Sequence, residues 1–194
     1  LSPIPSKFIT KMKYAEAVTL SGTGLRSYFW NLNSCFDPNR TGSGHQPHGW
    51  DQLAGALYNR YRVFRVDYVL TVANDAYNIH YAALPTNSIS PPINDVSEAR
   101  ENPRCQYAVQ NPGGTLKKIV GSVSLPKLTG VTSTQYMANE QYQSVYNASP
   151  TEVMTLGCFA QGLNDDTGVS MSHTFNILLT YHVELFDPIP MDSS

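Results

Sequence analysis

The chain is poor in charged residues for a soluble protein. Only 14% of its 194 residues are Asp, Glu, Lys or Arg, whereas about 25% is usual in soluble domains. Neutral polar side chains cost less free energy than charged ones when another protein buries them. The low charge therefore favours, weakly, a subunit that assembles with other chains.

Cysteines are few, and long hydrophobic runs are missing. Cys35, Cys105 and Cys158 are widely spaced and odd in number, so we expect buried free thiols rather than a disulfide framework or a zinc site. No run of about 18 apolar residues predicts a membrane helix, and residues 1–5 do not resemble a signal peptide. Because the first residue is Leu, we expect that a preceding segment was removed or left out.

Catalytic motifs are incomplete or missing. Asp166-Thr167-Gly168 matches the tripeptide of aspartic proteases, but such a site needs two carboxylates that share a proton, and the tripeptide occurs once, after a polar segment. We interpret it as a hairpin turn. The sequence has no Gly-x-Ser-x-Gly elbow and no phosphate-binding loop. We therefore predict that the protein is not an enzyme and uses no cofactor.

Two histidines lie three residues apart in a Gly-rich segment. His45 and His48 are close in sequence to Asp37 and Asp51, and metal sites can have this composition. Pro47 between the histidines and the lack of a clear third ligand favour ordinary loop residues. We predict no metal site, and leave a metal role for these two histidines open.

Hydrophobic and polar residues alternate along much of the chain, which is typical of half-buried strands. In 174–186, for example, Phe175, Ile177 and Leu179 lie on one face. The apolar spacing of Trp50, Leu53 and Leu57 predicts one helix, over 49–59. We predict eight strands, at 8–20, 26–34, 60–74, 77–84, 104–110, 115–125, 153–160 and 174–186.

The order of these elements predicts an all-β protein. No βαβ rhythm, linker or repeat is present, so residues 1–194 are expected to form a single domain, an eight-stranded antiparallel jelly roll of two sheets with one short helix in a loop. Three connections, 35–49, 85–103 and 126–152, are much longer than the fold requires. Loops of this length are usually functional, and we expect the protein to assemble through them.

Positive charge is concentrated near the start of the chain. Residues 1–74 contain eight Lys or Arg and four Asp or Glu, whereas 75–194 contain five and eleven. In a jelly roll the first and third strands flank the last one, so the basic residues of 8–20 and 60–74 should converge. The alternative is that these are only the solvated faces of two strands.

The basic strands interleave cations with aromatic residues, a pattern that can bind phosphates and stack on unpaired bases. Arg60 and Arg62 share the parity of the apolar Phe64, so either they lie beyond the core or a bulge shifts the register. We predict non-sequence-specific nucleic-acid binding by seven residues, Lys7, Lys11, Lys13, Arg60, Tyr61, Arg62 and Arg65.

Three segments are similar to a known viral family. They are GHQPHGWDQL at 44–53, YNRYRV at 58–63 and TYHVELFDP at 180–188. The first two contain His-Gln-Pro, then Gly-aromatic-Asp-Gln, then Tyr-x-x-Tyr-x-Val. This run resembles the capsid proteins of circular, Rep-encoding single-stranded DNA viruses, the circovirus-like group, and the third segment is similar to the last strand of that family.

The resemblance implies a jelly-roll coat protein that assembles with itself into a small icosahedral (T=1) shell around circular single-stranded DNA. It also implies location in the virion, with assembly in the host nucleus, and an Arg/Lys-rich N-terminal arm. Residues 1–13 contain only three lysines. Either the arm was removed or left out, or genome packaging differs here.

Two other functions would account for part of the sequence. A jelly-roll module that binds carbohydrate or another ligand would account for the fold, but not for the motif or the basic strands. A small β-rich hydrolase ranks third, because the sequence shows no pairing of a nucleophile with a base.

Overall fold

Two antiparallel sheets form the protein, described by a computed structural model for residues 3–74, 76–164 and 168–190. Most of the Asp166-Thr167-Gly168 tripeptide therefore lies outside the described residues. Within the described residues there are nine strands: β1 (Lys7–Gly22), β2 (Arg26–Asn31), β3 (Tyr58–Ala73), β4 (Ile79–Thr86), β5 (Gln106–Gln110), β6 (Ile119–Ser124), β7 (Gln143–Val145), β8 (Thr155–Gly162) and β9 (Met171–Pro188).

The strand order is that of a jelly roll. One sheet has the order β1-β9-β3-β6, with the short β7 also paired to β3, and the other has the order β2-β8-β4-β5. The last strand thus lies between the first and the third, as the sequence predicted. All eight predicted strands are present with shifted ends. The prediction missed β7, which has only three residues and hence no clear alternation.

The predicted helix at 49–59 is much shorter than expected. Only Trp50–Leu53 is helical (α1), because the backbone at Ala54 is already extended (φ −83°, ψ 130°). The left-handed Gly55 follows with a φ of 82°, and β3 begins at Tyr58. The apolar face was nevertheless assigned correctly: Trp50 is 2% exposed, and Leu53 and Leu57 pack against the core.

The long connections contain further short helices, so the prediction of a single helix was wrong. These are α2 (Val96–Arg100), α3 (Leu125–Thr129) and α4 (Ser133–Ala138), followed by a 3-10 turn at Glu140–Tyr142. The side chains of Thr132 and Gln135 form a reciprocal capping box at the start of α4. Such caps satisfy backbone N–H groups that have no partner within the helix.

Aromatic side chains fill the space between the sheets. Trp30, Tyr14, Phe175 and Tyr181 are fully buried in one hydrophobic cluster. Buried aromatic residues contribute large apolar areas to a core. The three cysteines are free thiols; Cys35 and Cys158 are buried as predicted, whereas Cys105 is half-buried, and burial raises the pKa of each.

A half-buried carboxylate fastens the 35–49 connection to the sandwich. Glu16 in β1 accepts hydrogen bonds from the hydroxyl of Tyr14 (2.7 Å) and from Trp30 Nε1 (2.9 Å). The side-chain amide of Asn39 donates to both oxygens of the same carboxylate, at 2.8 and 3.0 Å. One side chain therefore joins strands from both sheets to the first long loop.

No helix in the described part of the chain has both the length and the apolar character needed to span a bilayer.

Candidate nucleic-acid interface

The cations of β1 and β3 lie at the same end of one sheet. Lys7 in β1 is opposite Phe186 in β9, which is opposite Arg60 in β3. Four residues further along β1, Lys11 is opposite His182, which is opposite Arg65. Strands are spaced about 4.8 Å apart, so the two basic groups are separated by roughly 10 Å. The predicted convergence of the two basic strands is confirmed.

A β-bulge in β3 explains the parity conflict noted in the sequence. The register with β9 shifts between Val63 and Arg65, which leaves Phe64 as the extra residue. Tyr61 and Val63 before the bulge, and Val66 after it, are fully buried in the core. Before the bulge, odd-numbered residues therefore face the core. After the bulge, even-numbered residues do. As a result, Arg62, Phe64 and Arg65 lie on the outer face of the sheet.

Two acidic residues lie among the cations and neutralise part of the face. Lys7 Nζ is 2.9 Å from Glu184 Oε1, and Arg65 Nε is 3.0 Å from Asp67 Oδ1. His182 Nε2 lies 2.7 Å from the other oxygen of Asp67. Burial acts to raise the pKa of Asp67, but hydrogen bonds with Ser122, His182 and Arg65 outweigh it and lower this pKa to about 2. Asp67 is therefore ionised at neutral pH.

Lys11 and Lys13 are the most available cations of this face. Both are exposed on the outer side of β1, and within the described residues neither has an ion-pair partner. Arg60 is half-buried and lies across β9 from Lys7. Lys11, Lys13, Arg60, Lys7 and Arg65 are called the basic face below.

Two of the seven predicted residues do not reach the surface of the subunit. Arg62 is 5% exposed: its guanidinium lies over the ring of Phe186 at 5.1 Å and donates a hydrogen bond to Gln143 Oε1. Desolvation lowers the pKa of Arg62. Tyr61 is fully buried, and its hydroxyl donates to the carbonyl of Ala148 at 2.8 Å. The expectation that these two side chains contact nucleic acid is therefore corrected for the isolated subunit.

An open groove borders the basic face, and sequence reasoning did not find it. Its volume is about 400 Å³. The 126–152 connection forms one wall, and the bulge in β3 forms the other. We call it the Phe64 groove; its main lining residues are Ile9, Phe64, Arg65, Lys127, Met137 and Glu184. Carbon atoms form most of its surface, and the side chains of Arg65 and Lys127 are solvent-exposed.

A second cavity adjoins the groove at Lys127. It has a volume of about 260 Å³ and is lined partly by Tyr68, Gln106 and Arg104. Lys127 contributes to both cavities. The positive charge of the basic face therefore continues past α3 towards β5.

Of the two loop histidines, His45 is the one whose side chain has described contacts. His45 Nδ1 is 2.8 Å from the carbonyl of Gln46, and Nε2 is 3.1 Å from that of Ala15. The ring also contacts Tyr14, with centroids 4.7 Å apart, although both histidines are exposed. Among residues 3–74, 76–164 and 168–190, no three His, Cys, Asp or Glu side chains are placed to hold a metal ion.

Comparison with solved structures supports the fold. The structure of turnip yellow mosaic virus superposes with a TM-score of 0.51 and 10% identity, over 100% of this chain and 88% of that chain. A structure from Desmodium yellow mottle tymovirus gives 0.47 and 14%, over 100% and 97%. At such identities the likeness concerns the fold alone, and the turnip yellow mosaic virus superposition supports it. This chain is thus an antiparallel two-sheet jelly roll. No protein-family model matches the sequence, and no curated protein matches it either.

Proposed function

We propose that the protein is a viral coat protein that assembles with copies of itself into a small icosahedral (T=1) shell around a circular single-stranded DNA genome. The observation that carries the proposal is the convergence of β1 and β3 cations on one face of a jelly roll. The fold likeness to the turnip yellow mosaic virus structure supports a coat protein. The resemblance of 44–53, 58–63 and 180–188 to the circovirus-like group supports the DNA genome and the virion location.

Exposed apolar side chains in the long connections support self-assembly. Phe36 lies in the first connection, Ile89 in the second and Tyr146 in the third, and each exposes more than a third of its surface. Aromatic residues are enriched and charged residues depleted at the centres of protein interfaces, which agrees with these loops. Each subunit is expected to take part in interfaces of more than about 1,000 Å².

The basic face would then meet the genome through phosphates. Contacts of this kind are independent of base sequence and weaken steeply with salt. Which face of the sheet points to the inside of the shell follows from the related family, in which the N-terminal end of the chain lies toward the genome. The face that contains Lys11 and Lys13 is therefore proposed as the inner surface of the shell.

Particle formation tests the proposal. The purified chain should form uniform closed shells by electron microscopy and sediment far faster than a monomer at low salt. Ile89→Asp should prevent assembly without unfolding, since it places a charge at a side chain that is 51% exposed in a long connection. Leu116→Asp is the matched control, because Leu116 is 43% exposed outside the three long connections.

Two outcomes would contradict the coat-protein function. One is a chain that stays monomeric at high protein concentration and low salt. The other is a monodisperse monomer that binds a defined glycan in an array, which would favour the carbohydrate-binding module instead.

A further inference from the structure

We propose that the Phe64 groove holds one unpaired nucleobase of a single-stranded nucleic acid, with the adjoining phosphates on Arg65 and Lys127. The inference rests on the proposed function and deepens it, because it names the place where a base, rather than a phosphate, is bound. The sequence pointed to Tyr61 for this role, but that ring is buried.

The bulge places an aromatic ring and a cation side by side on the outer face. In a regular strand two consecutive residues point to opposite faces, yet Phe64 and Arg65 both line the groove. Bulges commonly re-aim side chains next to functional sites. An aromatic ring beside a cation is the combination that binds single-stranded nucleic acid, because bases stack on the ring while the cation holds the phosphate.

The distribution of charge orients the ligand. Lys127 is exposed and has no ion-pair partner among the described residues, whereas Arg65 already pairs with Asp67 through Nε at 3.0 Å, so Lys127 is the main phosphate contact and Arg65 a secondary one. Glu184 also lines the groove and is almost fully buried. The carboxylate of Glu184 repels a phosphate, although Lys7 at 2.9 Å offsets part of its charge. It can accept a hydrogen bond from an amino or imino group of a base. The base is therefore placed inside the groove and the phosphates outside it.

The volume of the groove is large enough for a single base. About 400 Å³ lies within the range of roughly 300–1,000 Å³ found for small-molecule sites. Ile9 and Met137 join the ring of Phe64 in the apolar part of the lining. A base within a duplex is stacked and paired, so only an unpaired base can enter.

Binding of base-bearing and abasic oligonucleotides tests the inference. A ten-nucleotide single strand and an abasic strand of the same length carry the same phosphates but differ in bases. Fluorescence anisotropy with the full chain should show that the base-bearing strand binds on the order of tenfold more tightly. Phe64→Ala should bring the ratio of the two affinities, base-bearing over abasic, close to one, and it should leave the affinity for the abasic strand unchanged. Phe36→Ala, at an exposed aromatic residue of another loop, should keep the ratio.

Two further variants separate stacking from charge and from folding. Phe64→Leu keeps apolar volume but removes the ring, so it should lower the ratio even if the alanine variant does not fold. Lys127→Gln should weaken both strands equally and reduce the slope of log affinity against log salt by about 0.7. A loss confined to the base-bearing strand in Lys127→Gln would contradict the assigned role of Lys127.

The same samples distinguish this inference from the coat-protein function. If particles form but Phe64→Ala keeps the affinity ratio, the inference is wrong and the coat function stands. The same holds if particles form and the native chain binds the base-bearing and abasic strands equally well. If Phe64→Ala blocks assembly while the ratio persists, the groove is a contact with a second copy, and the inference is again wrong. If no particles form but the ratio depends on Phe64, the groove binds a base and the coat function fails.

Discussion

The hydroxyl of Tyr136 donates a buried hydrogen bond to the carbonyl of Val63 at 2.8 Å. Val63 is the last residue in register with β9 before the bulge, and Tyr136 lies in α4 of the third long connection. This contact ties that connection to the backbone that presents Phe64 and Arg65. The shape of the Phe64 groove therefore depends on an interaction between residues 73 positions apart in the chain.

Tyr136→Phe should destabilise the protein by about 1–3 kcal/mol, because it leaves the buried Val63 carbonyl without its donor. Urea unfolding followed by tryptophan fluorescence measures the change. Tyr142→Phe is the matched control: the Tyr142 ring stacks on that of Tyr136 at 4.6 Å, and it is only half-buried. Equal losses for the two variants would contradict the role given to the Val63 contact.

Trp50→Ala should cost about 3–5 kcal/mol, the range for a large aromatic residue removed from a core. Trp50 packs edge-on against Tyr61 with centroids 4.8 Å apart, and its Nε1 donates to the carbonyl of Tyr146. The midpoint of urea unfolding reports the loss, and Trp50→Phe should recover part of it. A change below about 1 kcal/mol would show that Trp50 does not belong to the core.

Glu16→Gln should lower stability by roughly 1.5–3 kcal/mol, because hydrogen bonds to a charged acceptor are stronger than neutral ones. The new NH₂ group would also face donors from Tyr14, Trp30 or Asn39. Thermal unfolding measures the effect. Glu101→Gln, at an exposed position, is the control and should change stability little. Limited proteolysis of Glu16→Gln should cut within 35–49 sooner than in the native chain.

The strand framework was predictable because each long strand has one buried face. Phe175 and Tyr181 in β9 point into the core, whereas Thr180 and Asn176 between them do not. The short helices were not predictable from periodicity, since α2, α3 and α4 have five or six residues each. The available signal was capping chemistry, such as Thr132 followed by Gln135. The length of α1 was overestimated because apolar spacing does not reveal the extended backbone at Ala54.

The site was predictable as a basic face but not residue by residue. Alternation placed Lys11 and Lys13 on the outer side correctly. Whether Tyr61 or Phe64 faces outward depends on where the bulge falls, and a one-residue shift exchanges the two faces of a strand. The bulge lies next to two tertiary contacts, the Tyr136 hydrogen bond to Val63 and the pairing of β7 with Arg60–Arg62. Neither contact is visible in the local sequence.

His173 should make the protein less stable as the pH falls from about 6.5 to about 4. Burial, and then the charge of Arg26, lower the pKa of His173 to about 4 from its ordinary 6.5. In this interval the unfolded chain binds a proton that the folded chain does not. The stability that neutral His173 contributes is therefore fully present above pH 6.5. It is lost as the pH falls towards 4, by up to about 1.4 kcal/mol per pH unit.

The neutral form of His173 also agrees with its surroundings, since the Asn74 amide lies 3.5 Å from Nδ1 and can donate to it. Urea unfolding at several pH values measures the dependence. His173→Gln should flatten the curve between pH 6.5 and 4, whatever its effect on absolute stability. A native slope retained in His173→Gln would assign the dependence to another group.

Exposed and buried cations should differ in their effect on nucleic-acid binding. Lys11→Gln combined with Lys13→Gln removes two exposed charges without ion-pair partners among the described residues. The slope of log affinity against log salt for a single strand should fall by about 0.7 for each phosphate that the variant no longer binds. Arg62→Gln should leave this slope unchanged, because the guanidinium is packed on Phe186 and bonded to Gln143. It should instead reduce stability, since it leaves Glu184 with fewer compensating charges. Equal changes in slope for the lysine pair and for Arg62 would mean that the surface opens on binding and that Arg62 reaches the phosphates.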